Sequence, residues 1–168
     1  MPERALPVHK VISGGQTGVD QAALRAALAC GVAIGGWCPP GRVCDGGTIP
    51  EFFPLQETPA DASPERPALP RSQRTEWNVR DSDATLILSP AALHARDAGT
   101  CWTAECAARF GRPLMISDPT DPQAVTRVRE WISQNGTNVL NVAGPNERMS
   151  PGVGMIAEDF VRDLLTQR

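Results

Sequence analysis

Short apolar runs of strand length alternate along this chain with segments whose apolar residues recur at helical spacing, and that alternation limits the fold more than any other feature. The strand-like runs are residues 8–12, 32–38, 84–89, 113–117 and 138–143. Between and after them lie five helix-like segments. The first carries apolar residues at 19, 22, 23, 26, 27 and 30, and the second spans 71–81 around Trp77. The third runs over 100–110. The last two follow Asp121-Pro122 and Ser150-Pro151, each a capping residue with proline at the first helical position. Their expected buried stripes are Ala124, Val125, Val128, Trp131 and Ile132, then Val153, Ile156, Phe160, Val161 and Leu164. Gly31, Gly111 and Gly136 stand where C-caps belong. Strands alternating with helices build a parallel sheet with right-handed crossovers and helices on both faces, an α/β three-layer sandwich. The unbroken apolar run 84–89 suits a strand buried on both sides.

The 168 residues fit one domain, 1–168, with a long proline-rich irregular segment at about 39–70. Loops of that length in a compact domain serve function or are disordered, so 39–56 is expected to fold over a site and 59–70 to be a mobile surface excursion. A net charge of −3 argues against nucleic acid as partner and leaves small ligands. No apolar run is long enough to span a bilayer and no signal core is present, which points to a cytoplasmic chain without membrane contact. Cys30, Cys38, Cys44, Cys101 and Cys106 lack zinc or redox spacing and read as reduced, mostly buried thiols. With only His9 and His94, a histidine-rich metal site is not expected.

The chemistry gathers at Ser13-Gly14-Gly15-Gln16-Thr17-Gly18-Val19-Asp20, a glycine turn between the first strand and the first helix. Such a turn lets backbone N–H groups approach an anion while the helix N-terminus supplies free donors and partial positive charge. It is not a dinucleotide fingerprint, because Ser13 replaces the first glycine and no acid ends the next strand. It is not a Walker loop either, since the only lysine of the chain, Lys10, lies on the strand. The competing structural reading is a Thr17–Asp20 capping box on a tight turn. Two more strand-to-helix loops, 89–103 and 144–152, emerge at the same carboxyl edge. They offer Gly99, Thr100, Thr103 and Arg148. Arg74, with Asn78 a turn later, is a further anion partner or else a solvated surface arginine. Asp20 and Glu105 are the candidate acids or ribose binders, and Trp37 and Trp102 could stack on a ring or simply fill core. No Ser-His-Asp set is present among these motifs.

Five motifs in order carry a resemblance: 14–20, Gly36-Trp37-Cys38-Pro39, Arg74-Thr75-Glu76-Trp77-Asn78, Gly99-Thr100, and Asn141-Val142-Ala143-Gly144-Pro145. Together, over about residues 11–165, they resemble the molybdenum cofactor carrier family. That family sits within the Rossmann-like superfamily of nucleotide-ligand sensors (SLOG) and of phosphoribohydrolases once called lysine decarboxylases. The resemblance implies a Rossmann-like fold with a mainly parallel sheet of about five or more strands. It also implies a homo-oligomer, dimer or tetramer, that binds a phosphorylated small molecule, either a nucleotide derivative or molybdenum cofactor. Gly14, Gly15, Gln16, Thr17, Gly18, Asp20, Arg74, Asn78, Gly99, Thr100, Thr103 and Arg148 form the expected ligand site, with no metal ligands. The alternative is a nucleotide N-glycosidic hydrolase. Arg74 stands where the phosphoribohydrolases have their catalytic arginine, but Thr103 stands where their catalytic glutamate belongs. Glu105, two residues on, faces about 200° around the helix.

Overall fold

The computed structural model describes residues 5–93 and 97–166. His94, one of the two histidines weighed above, lies outside the described residues. In chain order come β1 (Lys10–Ile12), α1 (Val19–Ala29), β2 (Ala33–Gly35), β3 (Trp37–Cys38), β4 (Val43–Cys44), β5 (Gly47–Thr48) and β6 (Gln56–Glu57). They are followed by α2 (Ser72–Arg80), β7 (Ala84–Leu88), α3 (Ala98–Phe110), β8 (Leu114–Ser117), α4 (Ala124–Asn135), β9 (Val139–Ala143) and α5 (Val153–Leu165).

Five strands form the central sheet in the order β2-β1-β9-β7-β8, and every pairing in it is parallel. The final strand therefore inserts at the centre, with Val11 opposite Leu140 on one side and Leu86 opposite Val142 on the other. Right-handed crossover then decides which face each helix covers. Connections running toward β2 put α1 and α4 on one face, where α5 joins them in one apolar cluster that includes Val19, Ala23, Val128, Ile132, Phe160 and Leu164. Connections running toward β8 put α2 and α3 on the other face, where Val79, Trp102, Cys106 and Ala107 pack together. The whole of β7 is buried, as its unbroken apolar run requires. The result is the expected α/β three-layer, Rossmann-like sandwich.

Local differences from the sequence reading have local causes. The run 32–38 is two strands in two sheets, because Gly36 at φ 127° breaks it. Residues 39–57 are not a bare loop: Ile49 and Phe53 are fully buried with Leu24 and Cys38 in a second apolar cluster. Residues 59–70 lie along α2, tied by Ser63 N to Ser72 Oγ at 2.7 Å and by Ala60 N to Gln73 Oε1 at 2.9 Å. Asp121-Pro122 and Ser150-Pro151 form turns, and their helices begin at Ala124 and Val153. Ile156 is 41% exposed rather than inward. Starting from Val153, the 100° step places Ala157 on the buried line instead. All five cysteines are free, but only Cys38 and Cys106 are buried. Among the described residues no helix is long and apolar enough to cross a membrane.

Candidate functional site

At the carboxyl edge the loop after β1 turns toward one face of the sheet and the loop after β7 toward the other, with β9 between them. Such a divergence opens a crevice beyond the strand ends, the usual ligand position in open α/β sheets. Here it is a cleft of about 130 Å³ whose walls come from the β1–α1 loop, α2, the start of α3 and the β9–α5 loop. That is many times the roughly 10–15 Å³ a single water needs.

The glycines of the β1–α1 loop do different jobs. Gly14 lines the cleft, and a Cβ there would stand 2.7 Å from Arg74 Cδ. Gly15 and Gly18 both have φ +80°, a left-handed backbone that favours glycine. A Cβ on Gly15 would strike Ile49 and Leu55 at 2.7 Å, and one on Gly18 would lie 2.5 Å from the carbonyl oxygen of Pro145. These two glycines let neighbouring segments close against the loop. The Thr17–Asp20 capping box does not form: α1 begins with Gly18 as its N-cap and no side-chain cap. Asp20 Oδ2 instead accepts from Gln16 N at 3.2 Å, and Thr17 Oγ1 is buried without a hydrogen-bond partner among the described residues. Gln16 lines the cleft, while its Oε1 accepts from Thr17 N and from Asp45 N, both at 2.9 Å.

Arg74 is no surface arginine. Arg71, the residue before α2, has φ 60°, and from that left-handed start α2 buries the Arg74 side chain to 13% exposure. Its Nη1 donates to the Gly14 carbonyl at 3.0 Å and lies 3.8 Å from Asp20 Oδ2, on a carboxylate whose side chain is 9% exposed. The rest of the guanidinium makes no hydrogen bond among the described residues. Burial raises the Asp20 carboxyl above the ordinary aspartate range, against the pull of Arg74 and of the Gln16 N–H. The same burial lowers Arg74, with Asp20 as the opposing attraction. An arginine stays protonated under these conditions, so the pair places a buried cation in the cleft wall.

The structure brings Gly14, Gln16, Asp20, Arg74, Asn78, Gly99, Thr100 and Thr103 into that one cleft. Several have structural duties as well. The Asn78 amide accepts from Trp37 N at 2.8 Å and donates to Trp37 O at 2.9 Å, holding the chain at Gly36. Thr103 Oγ1 donates to Gly99 O at 2.8 Å. Gly15, Thr17, Gly18 and Arg148 do not line the cleft, and Arg148 is exposed. Glu105 lies on the outer side of α3, paired with Arg66. Neither tryptophan reaches the cleft: Trp37 Nε1 donates to Asp81 Oδ2 at 2.7 Å, and the buried Trp102 Nε1 donates to Ser72 O at 2.9 Å. Polar cleft residues that were not among the expected site residues include Thr75, Asp97, Asn141 and Asn146. Asp97 is the N-cap of α3, and its place just ahead of Gly99-Thr100 was the available signal. Among the described residues no cluster of three or more His, Cys, Asp or Glu could hold a metal ion.

Comparison with known proteins gives the same architecture a family. A crystal structure described as a "putative molybdenum carrier protein", from Syntrophus aciditrophicus SB, is similar at 35% sequence identity and a TM-score of 0.86, over 97% of this chain and 98% of that one. No curated protein matches. The model of the circularly permutated YpsA SLOG family matches residues 11–165. That match spans nearly the whole chain, and this chain belongs to the circularly permutated YpsA SLOG family.

Proposed function

We propose that this chain binds a phosphorylated, ring-bearing small molecule, a nucleotide derivative or a molybdopterin-type compound, in the carboxyl-edge cleft and acts as a carrier or sensor. The single observation that carries the reading is Arg74. A buried guanidinium that donates one hydrogen bond to Gly14, has the Asp20 carboxylate 3.8 Å away and keeps its other donors uncommitted among the described residues is suited to receive an anion. Family membership and the likeness to a protein described as a molybdenum carrier support a ligand-binding role. The cleft offers N–H, hydroxyl and carboxylate groups, which suit the organic part of such a cargo.

The test is a thermal-shift and calorimetric screen of nucleoside monophosphates, dinucleotides, molybdopterin and molybdate. A bound ligand at 100 times its dissociation constant stabilises the fold by about 2.7 kcal/mol. Arg74→Lys, which keeps the charge but loses the fork, should weaken binding about ten-fold or more. Absence of any shift across the screen would sink the reading. Assembly as a dimer or tetramer, expected from the resemblance, is checked by light scattering.

One observation favours hydrolysis as the second reading. Asp20 is a buried acid of raised pKa beside an anion-binding arginine, which is how a general acid is prepared. Release of free base from a nucleoside monophosphate, abolished by Asp20→Asn and untouched by Glu105→Gln, would establish it.

A further inference from the structure

At the carboxyl edge, the starts of α3 and α5 already hold an acidic side chain of their own. At α5, Glu147 accepts from Gly152 N at 2.9 Å and Gly154 N at 2.7 Å, outside the cleft. At α3, Asp97 accepts from Gly99 N through Oδ1 and from the Thr100 hydroxyl through Oδ2, both at 2.9 Å, and this carboxylate lines the cleft. A helix start occupied in this way is a poorer seat for a phosphate, because part of its donor set is taken and a second anion meets like charge. The Thr103 hydroxyl is also committed, to Gly99 O. The α3 side of the cleft is thus an acceptor surface, whereas Arg74 supplies the cation.

An ionised carboxylate offers about four lone-pair positions, two on each oxygen. Asp97 uses one on each oxygen among the described residues, so each of its two neighbouring oxygens keeps one acceptor position. Resting on the binding reading above, we infer that the ligand is two-ended. Its anionic group goes to Arg74 and Gly14, and the portion at Asp97 carries two adjacent hydrogen-bond donors and no negative charge. A vicinal ribose diol meets that description, and so does the amino–imino edge of a 2-amino-4-oxo ring. Gly99-Thr100, read from the sequence as a phosphate-holding pair, becomes instead the support that orients the carboxylate.

Calorimetry with GMP, its 2′,3′-dideoxy form, IMP and pyrophosphate, on the wild type, Asp97→Gly and Asp97→Ser, tests the assignment. Glycine and serine are both acceptable N-caps, and thermal unfolding confirms that the variants fold. The wild type should bind GMP, and removing the donor pair that is read should weaken binding about ten-fold or more, the scale of one charge-assisted hydrogen bond. Loss with the dideoxy compound assigns the diol, and loss with IMP assigns the ring edge. In Asp97→Gly that discrimination should collapse, while pyrophosphate should bind about five-fold tighter at the freed helix end. Asp97→Ser should lose the discrimination too. Wild-type binding of GMP with discrimination unchanged in both variants, or with none in the wild type, overturns the inference and leaves the binding reading standing. Wild-type failure to bind any of the four probes overturns the inference together with that reading for nucleotides.

Discussion

Arg74–Asp20 and Arg66–Glu105 each join an arginine to a carboxylate from a distant part of the chain, but one lies in the cleft wall and the other on the outer side of α3. The side chains of the first are 13% and 9% exposed, those of the second 49% and 46%. In water the attraction between exposed charges is screened and offset by the entropy of two long side chains, so the outer pair contributes little. Arg66 also lies over the Trp102 ring, 5.4 Å from its centroid, where it shields apolar surface. In the cleft wall the same two residue types are interdependent, because removing either leaves a buried charge without its counterion. Burial, not residue identity, separates a site from decoration.

The sharpest way to break this comparison is Arg74→Ala. It should lower stability by about 3–5 kcal/mol, read by urea unfolding, and abolish ligand binding. Adding Asp20→Asn to it should recover much of the stability but none of the binding. If Arg74→Ala costs no more than Arg66→Ala, the two pairs are alike and the contrast fails. Next in size is Gly14→Ala. Its methyl group would meet Arg74 at 2.7 Å, so it should cost about 1–3 kcal/mol by overpacking and displace the guanidinium, weakening binding out of proportion to stability.

A pH series separates the two regions by slope. The folded Asp20 carboxyl titrates above its unfolded value of 3.8, so the folded state holds that proton more tightly. Its contribution to stability is fully present below 3.8 and is lost as pH rises through the raised value. The stability of the wild type relative to Asp20→Asn should therefore fall as pH is raised from about 3 toward neutrality, in parallel denaturation curves. A rising difference contradicts the burial argument. The smallest effect belongs to Arg66→Ala, about 0.2–1 kcal/mol, and ligand affinity should not change. A loss of affinity there would place Glu105 back among the functional residues.

How far the sequence disclosed all this depends on where each signal resides. Buried parallel strands advertise themselves, since β7 is apolar at nearly every position and every residue of it is buried. Two-residue strands such as β4 and β5 have no period to detect, so the folded region 39–57 read as a loop although Ile49 and Phe53 lie in a core. Helix starts were the weakest point. Placing α3 at Thr100 rather than Ala98 left Asp97 in a loop, and its carboxylate, which sets the polarity of one cleft wall, went unread. The direction of Arg74 was not legible at all, because it depends on contacts with Gly14 and Asp20, more than 50 residues away in sequence. The glycine loop was found for a sound reason, but only Gly14 faces the cleft; Gly15 and Gly18 answer to neighbours 30 to 130 residues away in sequence, Ile49, Leu55 and Pro145.

The central place of β9 bears on how the chain assembles. Until residues 139–143 join, β1 has only β2 and β7 only β8, and the two pairs share no backbone hydrogen bonds. Any state that pairs β1 with β2 and β7 with β8 before β9 arrives would expose two open inner edges, the kind of surface that invites pairing with other chains. Completion of the sheet waits for the last strand to slot between them, a late closure between segments far apart in sequence, of the sort that slows folding. The walls of the cleft come from both halves and from the strand that joins them, so the cleft is complete only at that final step.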